Sequence, residues 1–119
     1  MNSRTTREVR RGDIVLAEFP YVERLQSKVR PALVVSRDGS EYVLAAFITS
    51  QGHLRDTRAA CLMKPDDPEF PTSGLRVPSA IRLDRLATLD RQMLKARLGQ
   101  IGQDTMLKVN EALRHALGM

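Results

Sequence analysis

Every apolar run in the first hundred residues of this chain is short and is stopped by a turn residue. After Gly12 and Asp13 comes the run 14–19, which ends at Pro20. Asp38, Gly39 and Ser40 separate 32–36 from 42–48, and residues 64–74 (KPDDPEFPTSG) carry three prolines and a glycine. Short runs rich in Val, Ile, Ala and Leu with this punctuation are strands, because Pro and Gly end each run before a helical period can establish itself. Residues 21–29, of mixed polarity and no clear period, read as a connection. Pro31 then opens the second strand, 32–36; a proline is tolerated at a first strand position, and it biases Arg30 towards extended geometry at a strand edge. The almost continuously apolar run 42–48 belongs in the middle of a sheet.

Residues 58–63 offer a fourth strand, and 64–74 read as a loop. Val77, Ser79, Ile81 and Leu83 alternate with Pro78, Ala80 and Arg82, and 85–89 continue extended, which predicts a bent or bulged strand pair. Residues 91–94 suggest one helical turn and 95–101 a closing strand. The last segment reads as a helix, with Asp104 as N-cap, Met106, Val109, Leu113 and Leu117 as its apolar stripe, and Gly118 as stop. Many short strands and one late helix predict a β-rich fold, a small and strongly curved sheet or partly open barrel.

At 119 residues the chain has material for one domain, 1–119, with a polar basic tail at 1–11. Only 4% of the residues are aromatic and none is Trp, so aliphatic side chains fill the core and stacking platforms for bases are few. The single Cys61 lies in an apolar stretch and reads as a buried, quiet thiol in a reducing compartment. No run of about 18 apolar residues and no amino-terminal h-region is present, so the expectation is a cytoplasmic protein with no membrane attachment.

The formal charge of +5 and a pI near 10.0 favour a polyanionic partner. No P-loop, Rossmann glycine pattern, zinc-type Cys and His spacing or nucleophile elbow occurs, so no metal or cofactor is expected. His53 and His115 are the only imidazoles. A nuclease using two histidines as acid and base would need that pair to meet.

The segments GDIVLAEFP (12–20), RPALVVS (30–36) and FITSQ (47–51), in that order and spacing, resemble the MazF/PemK family of toxins from bacterial toxin-antitoxin pairs. Residues 73–101, SGLRVPSAIRLDRLATLDRQMLKARLGQI, are similar to that family's later half. The resemblance implies an SH3-like barrel with a terminal helix, MazF/PemK/CcdB-like, assembled as a two-fold homodimer. It implies metal-independent, sequence-selective cleavage of single-stranded RNA, with Arg30 and Thr49 as the catalytic pair. Ser50, Gln51, Lys28 and His53 are the expected further RNA contacts. An antitoxin with an acidic, flexible segment is the expected partner; a basic groove also invites such a segment on electrostatic grounds.

The chemistry suits these residue types. When the 2′-hydroxyl of RNA attacks the adjacent phosphate, negative charge develops that a guanidinium can meet with two parallel hydrogen bonds, and a threonine hydroxyl can orient the phosphate or pass a proton. Residues 52–56 (GHLRD) depart from the lysine and aromatic run usual in the family. His53, four positions past Thr49, either adds proton chemistry or is a solvent-facing loop histidine. Other roles stand beside these: Arg30 as a snorkelling strand-end residue, and Thr49 and Ser50 as local strand caps. For the whole chain the alternatives are a non-catalytic barrel acting on a protein target such as gyrase, or an inactive relative that only pairs with an antitoxin.

Overall fold

The structure, a computed structural model, describes residues 8–19, 28–50 and 54–119. Six strands occur in chain order: β1 (Asp13–Phe19), β2 (Lys28–Val34), β3 (Val43–Thr49), β4 (Ala60–Met63), β5 (Ser79–Leu89) and β6 (Leu94–Gln100). A short helix α1 (Phe70–Ser73) precedes β5, and α2 (Gln103–Leu117) closes the chain. One antiparallel sheet runs in the order β4-β5-β3-β2-β1-β6.

The inner strands are apolar on both faces because both faces are covered. Ile14, Leu33, Ala46, Ile48, Ile81 and Leu83 pack on one side with Val109 and Ala112 of α2. Val15, Ala17, Ala32, Val34, Ala45 and Leu89 form a second cluster. A strand buried on both sides loses its polar alternation, which is why 42–48 reads as one continuous run.

The two extended segments expected after residue 77 are one strand. In β5, Leu86 pairs with Ala46 but the next partner of β3, Phe47, pairs with Arg82, so residues 83–85 bulge out and bend the strand. Strand β6 adds to β1, leaving β4 and β6 as unpaired edges of a curved, open sheet.

Four boundaries differ from the sequence expectation, each for a physical reason. Strand β2 begins at Lys28, inside the stretch read as a connection; its mixed polarity arises because Val29 and Arg30 are exposed. Pro31 is tolerated within it because it pairs with Leu16 of β1, whereas the ladder to β3 starts only at Ala32. The first half of 58–63 is a 3-10 turn, Thr57–Ala59, held by Asp56 accepting from the Arg58 N–H at 3.1 Å. The loop 64–74 contains α1, where Pro71 sits in the first turn and needs no N–H partner, and Gly74 ends the turn with a left-handed φ of 79°.

The fourth difference lies at the start of α2. Its N-cap is Gly102, not Asp104, and no cap side chain bonds there. The carboxylate of Glu69 takes that place from a distant loop, accepting from the N–H groups of Gly102 (2.9 Å), Asp104 (3.2 Å) and Thr105 (3.1 Å). A carboxylate at a helix N-terminus satisfies orphan donors and meets the positive end of the dipole. The buried stripe of α2 is Thr105, Val109 and Ala112, flanked by Met106 and Leu113, while Leu117 is 56% exposed rather than core.

Candidate active site

In the β2–β3 ladder Ala32 pairs with Phe47, Leu33 with Ala46 and Val34 with Ala45. Extending this antiparallel register two residues past Ala32 brings Arg30 opposite Thr49. The ladder stops before that point and the strands part. A cavity of about 670 Å³ opens there, with Leu16, Pro31, Ile48 and Leu98 as its apolar floor. Its polar lining is Arg30, Thr49, Ser50, Arg76 and Ser79, and among the described residues no Asp or Glu lines it. Among the described residues, neither Arg30 nor Arg76 has a hydrogen-bond or ion-pair partner for its guanidinium. Two uncompensated cations with three hydroxyls, over a greasy floor, make a site for a phosphate-bearing chain.

The cavity continues past Thr49. A smaller hollow of about 210 Å³ shares Thr49, Ser50 and Ser79 and reaches Lys64 at the end of β4. Ser79 donates to the Val77 carbonyl at 2.8 Å, which fixes its hydroxyl at the rim. Aromatic surface near the site is already engaged. Phe47 stands edge-on to Phe19, with ring centroids 4.2 Å apart, and carries the Arg85 guanidinium over its face at 5.0 Å.

The segment that supplies Arg76 is held firmly. Glu69 ties its start to α2, Ser73 is fully buried, and its hydroxyl donates to the Phe70 carbonyl at 2.6 Å while accepting from the Leu75 N–H at 3.1 Å. Gly74 and Gly99 let α1 and β6 touch backbone to backbone. A Cβ on Gly74 would meet the Leu98 carbonyl at 2.3 Å, and one on Gly99 the Thr72 carbonyl at the same distance.

Arg30, Thr49 and Ser50, singled out from the sequence, thus meet in one cavity. Lys28 is the first residue of β2, paired with Phe19, on the strand that carries Arg30. Gln51 and His53 lie outside the described residues. His115 is not in the cavity lining; its Nε2 is 2.7 Å from Oδ2 of Asp56, and that hydrogen bond is the main cause holding the Asp56 carboxyl below its ordinary range. It lines a separate hollow between β4 and α2 with Cys61, whose buried thiol is pushed up by desolvation. Arg76 and Ser79 are the site residues that the sequence did not announce. A lone cation in a turn has no periodicity to betray it.

Among the described residues no His, Cys, Asp and Glu side chains converge in a group able to hold a metal ion. No described helix is long and apolar enough to cross a membrane.

Residues 10–117 match the model of the PemK-like, MazF-like toxins of type II toxin-antitoxin systems. The chain belongs to this toxin family. Solved structures agree over nearly its full length. An endoribonuclease from a mycobacterial species is 25% identical with a TM-score of 0.69, the match covering 94% of this chain and 93% of that one. A mycobacterial endoribonuclease in complex with its cognate antitoxin is 25% identical with a TM-score of 0.70, over 93% and 96% of the two chains. The Mycobacterium tuberculosis toxin MazF-mt6, at 21% identity and a TM-score of 0.71 over 90% and 97%, shares the fold. The β-rich, MazF-like architecture with a carboxy-terminal helix expected from the sequence is therefore the one present, and the cavity between β2 and β3 lies within the PemK-like, MazF-like match.

Proposed function

We propose that this PemK-like, MazF-like toxin is a metal-independent, sequence-selective endoribonuclease that cuts single-stranded RNA in the cytoplasm and thereby inhibits growth. The observation that carries the proposal is the cavity lined by Arg30, Thr49 and Arg76, with no carboxylate in its lining among the described residues. The two mycobacterial endoribonucleases at 25% identity support the same reading.

In this reaction the 2′-hydroxyl gives up its proton and its oxygen bonds to the adjacent phosphorus. The bond from phosphorus to the 5′-oxygen breaks and that oxygen takes up a proton, leaving a 2′,3′-cyclic phosphate and a 5′-hydroxyl end. Arg30 meets the non-bridging oxygens with two parallel N–H groups as charge accumulates on them, a contact stronger in the transition state than before it. Thr49 orients the phosphate through its hydroxyl and relays the proton to solvent. Ser50, Gln51, Lys28 and His53 extend the contact along the strand. The whole chain, 1–119, acts as one domain in a two-fold homodimer, with the basic tail adding nonspecific phosphate attraction.

The cognate antitoxin blocks the same cations with an acidic, flexible segment that folds as it binds. The test is Arg30→Ala assayed on a mixed single-stranded RNA in the presence of a chelator, with circular dichroism to confirm folding. Cleavage should fall at least about 100-fold, as for loss of one preorganised oxyanion donor. Undiminished cleavage overturns the assignment, and a wild-type chain that arrests growth without cutting RNA favours a protein target such as gyrase.

A further inference from the structure

We infer that Arg76 is a second phosphate-binding residue, holding a phosphate other than the one that is cut and so fixing the path of the strand along the cavity. The inference rests on the RNA-cleaving reading above and adds a residue to it. Arg76 shares the cavity with Arg30, Thr49 and Ser50 and is carried by the segment between α1 and β5. Its guanidinium meets no carboxylate among the described residues, although Arg82, Arg97 and Arg114 each pair with one.

The support beneath Arg76 is elaborate for a residue that stabilises nothing. The segment is anchored at one end by three N–H bonds to Glu69. Further along it is anchored by the buried Ser73 and by the contact of Gly74 with the Leu98 carbonyl. A backbone fixed this firmly presents the cation without further ordering cost, which is what positioning a ligand requires. A guanidinium offers a planar fork that matches a phosphate. Single-stranded RNA carries one phosphate per nucleotide, so the phosphates flanking the one that is cut are available to a second cation in the same cavity. Ser79, which lines the same cavity, is already donating to the Val77 carbonyl and leaves the charge to Arg76.

The experiment compares wild type, Arg76→Ala and Arg76→Lys in two assays over a range of potassium chloride: cleavage kinetics on several cleavable RNA sequences, and equilibrium binding of an uncleavable 2′-O-methyl strand. Arg76→Ala should raise KM and the dissociation constant about tenfold, equally for all sequences, with kcat within about twofold of wild type. The slope of log affinity against log salt should shrink by roughly 0.7, the value for one phosphate contact on a single strand, and Arg76→Lys should restore that slope. Unchanged binding and slope overturn the inference, as does a loss confined to one base, which would make Arg76 a base reader. RNA binding left intact while an acidic antitoxin peptide binds more weakly overturns it in favour of a protein contact. A wild type that binds the strand but cuts nothing refutes the catalytic reading alone, because the binding arm still tests Arg76; a wild type that does neither refutes both.

Discussion

Arg30 on β2 and Thr49 on β3 line one cavity, each two residues beyond Ala32 and Phe47, the last paired position of the ladder that joins their strands. A sheet that stops pairing at this point leaves a gap between two rigid edges, and the gap is the cavity. The guanidinium and the hydroxyl are therefore positioned by strands rather than by loops, which limits the motion that would loosen a reacting geometry.

Thr49→Val keeps the shape of the side chain and removes the hydroxyl. Single-turnover cleavage should slow by about 100-fold with little change in RNA binding, the low end of the range expected for one proton-handling group. Thr49→Ser should keep most of the rate. Full activity in the valine variant would remove Thr49 from the reaction.

Glu69→Ala should lower stability by about 1 kcal/mol, the usual cost of losing a helix cap. The hydrogen bonds from the first turn of α2, with Thr105 first, hold the Glu69 carboxyl below its ordinary range. A carboxylate with a lowered folded value contributes stability above the range where free glutamate titrates, near about pH 4.3, and that contribution fades as pH falls through the folded value. Thermal melts of wild type and Glu69→Ala should therefore differ at neutral pH and converge in strong acid. A difference that persists unchanged in acid would contradict this role.

Gly99→Ala should destabilise the protein by about 2 kcal/mol or more, because the new Cβ would lie 2.3 Å from the Thr72 carbonyl, where backbone cannot yield cheaply. The displaced segment carries Arg76, so RNA affinity should fall along with the melting temperature. A variant that melts like wild type would show that α1 and β6 are not pressed together.

His115→Ala should leave cleavage unchanged, since His115 lies outside the cavity lining, paired with Asp56. The Asp56 carboxyl should titrate at higher pH in the variant, because its largest lowering cause is gone. Carboxyl NMR shifts against pH read this directly. A large loss of cleavage would instead give His115 a part in proton transfer.

Much of the fold was legible because its signals are local: strand ends at turn residues, the bulged character of 79–89, the 3-10 turn at Arg91–Met93, and Gly118 as helix stop. Arg30 and Thr49 were legible because each sits at the end of an apolar run inside a recognisable segment. What was hidden depends on distance. Glu69 caps a helix 33 residues away and leaves no sequence trace at the helix itself, where Asp104 looked like the natural cap. Helix α1 is too short for a period and is masked by Pro71 and by Pro65 and Pro68 before it. The start of β2 is hidden because Val29 and Arg30 are both exposed, so no alternation of buried and exposed residues marks it. Arg76 becomes meaningful only when the fold carries it to the cavity that Arg30 lines.

The central claim is that RNA is cut by its own 2′-hydroxyl at the phosphate held between Arg30 and Thr49. Its most direct test uses a single-stranded RNA that wild type cuts at one bond, remade with 2′-deoxyribose at the nucleotide just before that bond. The deoxy strand should stay whole at that position, while the all-ribose strand yields 2′,3′-cyclic phosphate and 5′-hydroxyl ends. Cleavage of the deoxy strand at the same bond would contradict the mechanism.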